Sequence, residues 1–396
     1  MSLKEKIQKL ALDNHKDVVA MRRHLHMNPE LSFNEFNTSA FVASKLKEYN
    51  IPVTDKIAGT GLVALIEGKN PSKKVIALRG DMDALPITET NDVEYKSQNP
   101  GVMHACGHDV HTSCLLGAAG ILQNLRSEFE GTVKLIFQPG EEKLPGGASL
   151  LIKEGVLEDP KPEGIIGQHV MPFIKTGKVG FRSGVYMAST DEIYVTVTGK
   201  GGHGATPHLN VDPVVITANI IVALQQIVSR AANPTMPSVL SFGKVNADGA
   251  TNVIPNEVKL EGTFRTLDED WRNEAHVKMK KMAEQMAEAM GAKCDFNIVR
   301  GYPVLINEEA ITNSSRKHAE DYLGKENVED LSIWMAAEDF AFYSQVANGC
   351  FYRLGTRNEE RGITSSVHTP TFDIDEEAIK IGVGLMAYLA VKQLGN

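Results

Sequence analysis

The run Met103-His104-Ala105-Cys106-Gly107-His108-Asp109-Val110-His111-Thr112 gathers a thiol and several imidazoles in one short stretch. A Cys-x-His spacing brings a thiolate and an imidazole close enough to share a metal centre, and the glycine between them permits a tight backbone. That donor pair suits zinc or a similar borderline metal. Alone, the run also fits a loop with a buried cysteine and capping histidines. A second signal, Phe137-Gln138-Pro139-Gly140-Glu141-Glu142, closes an apolar strand. Two adjacent carboxylates on an extended segment are expected to point opposite ways, one to a metal and one to a substrate. A carboxylate beside metal-bound water is the general base that a hydrolase needs. A solvated acidic turn is the plainer reading.

His169 ends the apolar run Ile165-Ile166-Gly167-Gln168-His169, and His368 sits in Ser366-Val367-His368-Thr369-Pro370 before the last helix. A lone histidine of this kind is more often structural than ligating. Arg79-Gly80-Asp81-Met82-Asp83 follows another strand and supplies carboxylates of the type that orient imidazole ligands. Taken together these signals gain weight. Cys106, His108, Glu142, His169 and His368 exceed the three or four protein ligands of a single zinc. They fit two ions that share one ligand and a bridging water.

The elements that must position these residues alternate. Three short apolar runs, Leu62–Ile66, Val75–Leu78 and Val133–Phe137, precede a fourth at Gly164–His169, with helical patterns near 1–50, 109–126 and 147–154. Continuous Val/Ile/Leu runs between helices predict a largely parallel sheet buried on both faces, with its sites at the carboxyl ends of the strands. Beyond residue 184 the rhythm changes. A strand at Glu192–Thr198, the glycine-rich Gly199–Gly204 and a helix over 211–230 come first. Strands at Ser238–Val245 and Val258–Arg265, a helix over 268–290 and a strand over 292–299 complete a βαββαβ unit. A helix over 307–323, a strand at Cys350–Leu354 and a helix over 375–394 then return to α/β character. The predicted organisation is a catalytic domain over 1–184 and 299–396, interrupted by an inserted domain over 185–298.

The chain has 396 residues, 42% of them hydrophobic, and a formal net charge of -9 with its 41 Lys and Arg scattered. No polyanion-binding face is expected. No stretch is expected to span a membrane. Ser2 and Glu5 read as a capping box opening a helix rather than as part of a secretory signal. Four cysteines in so long a chain argue for a reduced, cytoplasmic setting.

Several motifs in order give the chain a strong resemblance to the amidohydrolase branch of the co-catalytic zinc aminoacylase and carboxypeptidase superfamily. That branch includes hippurate hydrolases, N-acetyl-diaminopimelate deacetylases and plant auxin-conjugate hydrolases. The resemblance rests on residues 79–86, 103–109, 137–142, 168–170, Gly201-Gly202-His203-Gly204-Ala205-Thr206-Pro207, 337–340 and 367–370, and covers essentially the whole chain. It implies a zinc-peptidase-like three-layer α/β catalytic domain and a ferredoxin-like lid or dimerisation domain. It further implies Cys106, His108, Glu142, His169 and His368 as ligands of two divalent ions, zinc first and otherwise manganese, cobalt or nickel. Glu141 would be the general base and Asp83 the carboxylate orienting His108 or its neighbour. His203 would steady the oxyanion across a dimer interface, and Asn252 and Arg265 would contact substrate. The chain departs from the wider superfamily at Asp81, where a histidine ligand is usual; within this branch aspartate accompanies the cysteine, so Asp81 is not expected to bind metal. Gly140, Gln168 and Ala336 are further departures, the last bearing on specificity.

The expected reaction is hydrolysis of an N-acyl amino acid by a metal-activated water, in a homodimer or larger homo-oligomer without nucleic-acid or membrane partners. The same scaffold also suits a dipeptide or short-peptide metallopeptidase. A non-catalytic binding protein is the rival of another class; Glu141 retained beside a full ligand set argues against it.

Overall fold

The computed structural model describes residues 1–395 and divides into two compact units. The larger comprises residues 1–184, 306–332 and the chain from Asp339 onward; the smaller comprises 185–305 and 333–338. Residues 299–305 join the smaller unit because the Gly301 amide donates to the Thr190 carbonyl and the Thr190 amide donates to the Tyr302 carbonyl, both at 3.0 Å.

The larger unit is built on an eight-stranded sheet. Its strands run in the spatial order Val53–Ile57, Gly61–Glu67, Thr132–Gln138, Val75–Asp81, Gly164–Lys175, Gly349–Arg357, Val179–Phe181, Val328–Asp330. The four strands from Thr132–Gln138 to Gly349–Arg357 are mutually parallel. Gly61–Glu67 and Val53–Ile57 extend the sheet antiparallel at one edge, and Val179–Phe181 pairs antiparallel with Gly349–Arg357. The sheet is therefore mixed, parallel only at its centre. Every residue of Val75–Asp81 and Thr132–Gln138 is buried, as their unbroken apolar runs require. His108–Asn124 and Glu377–Gln393 pack together against the sheet, and Gly147–Lys153 packs with Phe340–Val346. The N-terminal region forms three helices, Leu3–Asp13, His15–Met27 and Phe36–Glu48, the first opened by the reciprocal Ser2/Glu5 capping box. The C-terminal strand Gly349–Arg357 completes the sheet beside Gly164–Lys175, with Arg353 opposite His169.

The smaller unit has the β-α-β-β-α-β order. Its antiparallel sheet runs Ser238–Asn246, Glu257–Thr266, Asp191–Thr198, Lys293–Arg300, under the helices Pro213–Gln226 and Glu269–Ala289. Along Asp191–Thr198 burial alternates strictly, so one face meets the helices and the other is open. Contrary to expectation, one stretch, Pro213–Ala231, is long and apolar enough to cross a membrane by length and composition. Its Ile216, Ile220, Leu224 and Ile227 are instead packed into the core of the smaller unit.

Candidate metal centre

Tight backbone turns bring the candidate ligands of the larger unit together. Gly107 takes φ +82° between Cys106 and His108, and a Cβ there would meet Val170 Cγ2 at 2.5 Å. Only glycine fits that turn. It lets Cys106 face the end of the sheet while His108 opens the helix His108–Asn124. That helix is anchored by the next residue: the buried Asp109 carboxylate accepts from Arg22 Nε at 2.7 Å and meets His26 Nδ1 at 2.8 Å. Gly140, at φ +58°, turns the chain after the strand Thr132–Gln138, with the Phe33 ring 2.3 Å from where a Cβ would stand. The backbone then bends over residues 141–143. Glu141 Oε2 and Glu142 Oε1 consequently both lie 3.9 Å from His108 Nε2. The two carboxylates do not point opposite ways, as an extended segment would have had them, because the segment is not extended. His169 likewise does not end its strand, which continues to Lys175 along its partner Gly349–Arg357.

Two sets of donors converge. Ligand atoms of Cys106, His108 and His169 lie within 4.8 Å of one another, as do those of Cys106, Glu142 and His368. Cys106 belongs to both. Its sulfur is 3.4 Å from His169 Nε2, and His368 Nε2 is 3.2 Å from Glu142 Oε1. The outer hydrogen bonds aim the rings inward. His169 Nδ1 donates to the Val170 carbonyl at 2.7 Å, so its Nε2 carries a lone pair toward Cys106. His108 Nδ1 meets Asp83 Oδ1 at 3.1 Å. Asp83 Oδ2 in turn accepts from Ser32 Oγ at 2.6 Å and from the Glu142 amide at 2.9 Å. His108 Nε2 is buried without a hydrogen-bond partner, and Glu142 Oε1 is buried with only His368 Nε2 close to it, at 3.2 Å. Buried polar atoms left this way, beside a thiol and a free imidazole lone pair, fit cations rather than one another. His368 holds a left-handed backbone at φ +61°, a conformation costing a non-glycine residue about 1–2 kcal/mol, with its amide on the Ala105 carbonyl at 2.7 Å.

The electrostatics are those of a crowded site. Burial and the neighbouring Glu142 push the Cys106 thiol up. Hydrogen bonds to Cys106 and Glu142 raise His368 to about 10. Burial, with Arg353 nearby, takes His169 well below the ordinary imidazole range. Burial opposes ionisation of Asp83, yet the His108 hydrogen bond brings its carboxyl below the usual value.

Glu141 Oε1 accepts from the Asp339 amide at 3.3 Å. The Asp339 carboxylate is held by Arg79 at 2.8 Å, by Gln138 at 2.7 Å and by the Ala148 amide at 3.0 Å. Asp81, flagged as the departure from the wider superfamily, contacts Arg79 and His111. Neither His111 nor Asp339 was singled out in the sequence. His111 could have been, since it lies one helical turn from His108.

In the smaller unit, His203 and Asn252 share a two-stranded ribbon, Gly202–His203 with Val253–Ile254, and the Gly204 amide donates to the Asn252 carbonyl at 2.9 Å. His203 Nδ1 accepts from the Ala205 amide at 3.0 Å, which leaves the ring proton on Nε2, free to donate. Arg265 is partly buried on Glu257–Thr266 and donates to the Met335 carbonyl at 3.3 Å; among the described residues it has no carboxylate partner within ion-pair distance. Burial lowers its pKa.

The family model for peptidase family M20/M25/M40 matches residues 77–392. N-acetyl-L-cysteine deacetylase of Bacillus subtilis is 40% identical over 395 residues, covering 100% of this chain and 92% of that protein. Thermostable carboxypeptidase 2 of Saccharolobus solfataricus is 37% identical over 395 residues, covering 99% of each. The crystal structure of Bacillus subtilis YXEP, described as a dinuclear metal binding peptidase, superposes with a TM-score of 0.81 at 33% identity, covering 96% of this chain and 98% of that one. The chain therefore belongs to peptidase family M20/M25/M40 and is a hydrolase of that family.

Proposed function

We propose that the protein hydrolyses the amide bond of N-acyl amino acids with two divalent ions held by Cys106, His108, Glu142, His169 and His368. The observation that carries this reading is the overlap of two donor triads at Cys106, with the Glu141 carboxylate 3.9 Å from the unpartnered His108 Nε2. Two donors on each side of one shared sulfur, making three to each triad, suit a pair of ions, and zinc matches a thiolate with imidazoles. When bound, the ions supply Lewis acidity and lower the pKa of coordinated water toward neutrality.

The chain's own residues do the rest. Asp83 holds the His108 ring by Nδ1 and the Glu142 backbone by its amide. Glu141, tethered through Oε1 to the Asp339 amide and with Oε2 3.9 Å from His108 Nε2, takes the proton of the attacking water and hands it to the departing amine. His203, with its proton on Nε2, donates to the developing oxyanion, a contribution of about 3–4 kcal/mol for such a donor. Arg265, with no carboxylate partner among the described residues, receives the carboxylate of the substrate, and Asn252, next to the ribbon that carries His203, contacts substrate. In this reading the smaller unit acts as lid and dimerisation domain around its boundaries near residues 185 and 298, and His203 serves the partner subunit. The apolar residues Val215 and Val222, exposed on the helix Pro213–Gln226, support a dimer. Four free, buried cysteines support a reducing, cytoplasmic setting.

A second reading is favoured by the carboxypeptidase relative: the same centre would cleave short peptides. A panel of N-acetyl and N-benzoyl amino acids and dipeptides, assayed with metal restored, separates the two. Turnover of dipeptides alone would overturn the acyl-amino-acid reading.

A further inference from the structure

We propose that Asp81 and His111 are not metal ligands but form a buried tether that fixes the orientation of His169; this rests on the metal reading above. Geometrically the alternative is open, since ligand atoms of Asp81, His108 and His111 also lie within 4.8 Å of one another. Hydrogen bonding decides between the two. The Val170 amide points at His111 Nε2 at 2.9 Å, and a backbone N–H can only donate. His111 Nε2 is therefore the acceptor and bears no proton. The ring's proton sits on Nδ1, 2.6 Å from Asp81 Oδ1. Both nitrogens are engaged, so His111 is neutral and has no lone pair left for a cation.

The chain of contacts continues in both directions. Asp81 Oδ2 accepts from Arg79, itself wholly buried, and the Asp81 backbone carbonyl accepts from Thr112 Oγ1 at 2.6 Å. On the other side, Val170 presents its carbonyl to His169 Nδ1 at 2.7 Å. Arg79, Asp81, His111, the Val170 peptide and His169 thus form one directed series, ending at the Nε2 that faces Cys106 at 3.4 Å. The rings of His111 and His169 pack with centroids 4.5 Å apart, which leaves His169 little room to tilt. His111 is a positioning residue: it touches neither substrate nor metal. Its role is to hold the backbone of Val170, whose N–H addresses His111 and whose carbonyl addresses His169.

The test uses the full-length protein loaded with a spin-active cadmium isotope and carrying isotope-labelled histidine. The tether requires that nitrogen–cadmium coupling appear at His169 and be absent at His111, and that His111 show the neutral tautomer protonated on Nδ1. Coupling at His111, or a proton on its Nε2, would overturn the proposal. Cadmium affinities of His111→Leu and His111→Gln give a second readout. The glutamine, which keeps one donor and one acceptor, should bind like the unsubstituted protein. The leucine should weaken at least one of the two ions by about 10–100-fold, as loss of an outer partner does at other metal sites. Wild-type affinity in a folded His111→Leu protein would also refute the tether, and if that variant does not fold the spectra of the unsubstituted protein decide alone. Failure of the unsubstituted protein to take up cadmium would instead remove the metal reading, and this inference with it, an outcome separable from the others because it precedes any substitution.

Discussion

At the scale of single residues, the division of labour between Glu141 and Glu142 is the sharpest expectation. Both carboxylates approach His108 Nε2, but only Glu142 also lies against His368, its Oε1 3.2 Å from Nε2, whereas Glu141 accepts from the Asp339 amide. Replacing Glu141 by Gln keeps shape and the Asp339 hydrogen bond while removing the base. Turnover should fall by about 10²–10⁴-fold with metal content unchanged by elemental analysis. Full activity in a metal-loaded Glu141→Gln protein would reassign the base. Asp83→Ala acts differently. It frees the His108 ring and the Glu142 amide together, so metal affinity, measured by chelator competition, should drop by about 10–100-fold. Arg265→Ala should raise KM for substrates bearing a free carboxylate and leave esters of the same acids unaffected. An equal effect on both would mean that Arg265 serves the lid's structure alone.

The elements hold these side chains through a few demanding positions. Gly107 caps the helix His108–Asn124 in a left-handed turn against Val170. Gly107→Ala adds a methyl group where there is no room and strain where there was none. A loss of about 1–3 kcal/mol is expected from the backbone alone, read by chemical denaturation, together with weaker metal binding. In the smaller unit the strand Asp191–Thr198 begins at a buried acid. Burial opposes ionisation of Asp191, but hydrogen bonds from His276 and Arg272 hold its carboxyl below the ordinary value of 3.8. The unfolded chain thus takes up this proton at a higher pH than the folded one. The stabilisation is complete above the unfolded carboxylate range and is lost as pH falls below it toward the folded value. Asp191→Asn leaves the buried Arg272 with only Glu269, 3.1 Å away, as counter-ion and should cost about 1–3 kcal/mol. It should also flatten the acid limb of the stability profile below pH 4 or so. An unchanged acid limb would mean that other carboxylates dominate it.

For the molecule as a whole, metal and assembly are the quantities to measure. Ions that bind only the folded chain stabilise it by mass action, about 2.7 kcal/mol at a hundredfold excess over Kd. Chelation should therefore lower Tm and abolish activity, with zinc or manganese restoring both; a Tm indifferent to chelator would contradict a centre that spans residues 83 to 368. If the smaller unit supplies the dimer contact, light scattering should report a dimer, and Val222→Glu, at an exposed position, should give monomers that retain their fold. Monomers of the unsubstituted protein at working concentration would remove the proposed trans role of His203.

How far the chain could be read depended on the range of the interactions concerned. Apolar runs and helical periodicity are local, and they located the central strands, the βαββαβ unit and the capping box at Ser2. Donor chemistry is also local: a thiol, imidazoles and paired carboxylates, each ambiguous alone, pointed to a metal once counted together. Hydrogen-bond direction and backbone turns are not. The bend that brings both Glu141 and Glu142 to His108, the antiparallel edges of the sheet and the extension of the strand beyond His169 each depend on a partner distant in the chain. The same holds for His111, whose neighbours Asp81 and Val170 lie 30 and 59 positions away. Residue types and their order determined which chemistry this protein can perform. Only the folded chain decided which nitrogen carries a lone pair and which carboxylates face His108, because those properties belong to contacts between segments and to no segment alone.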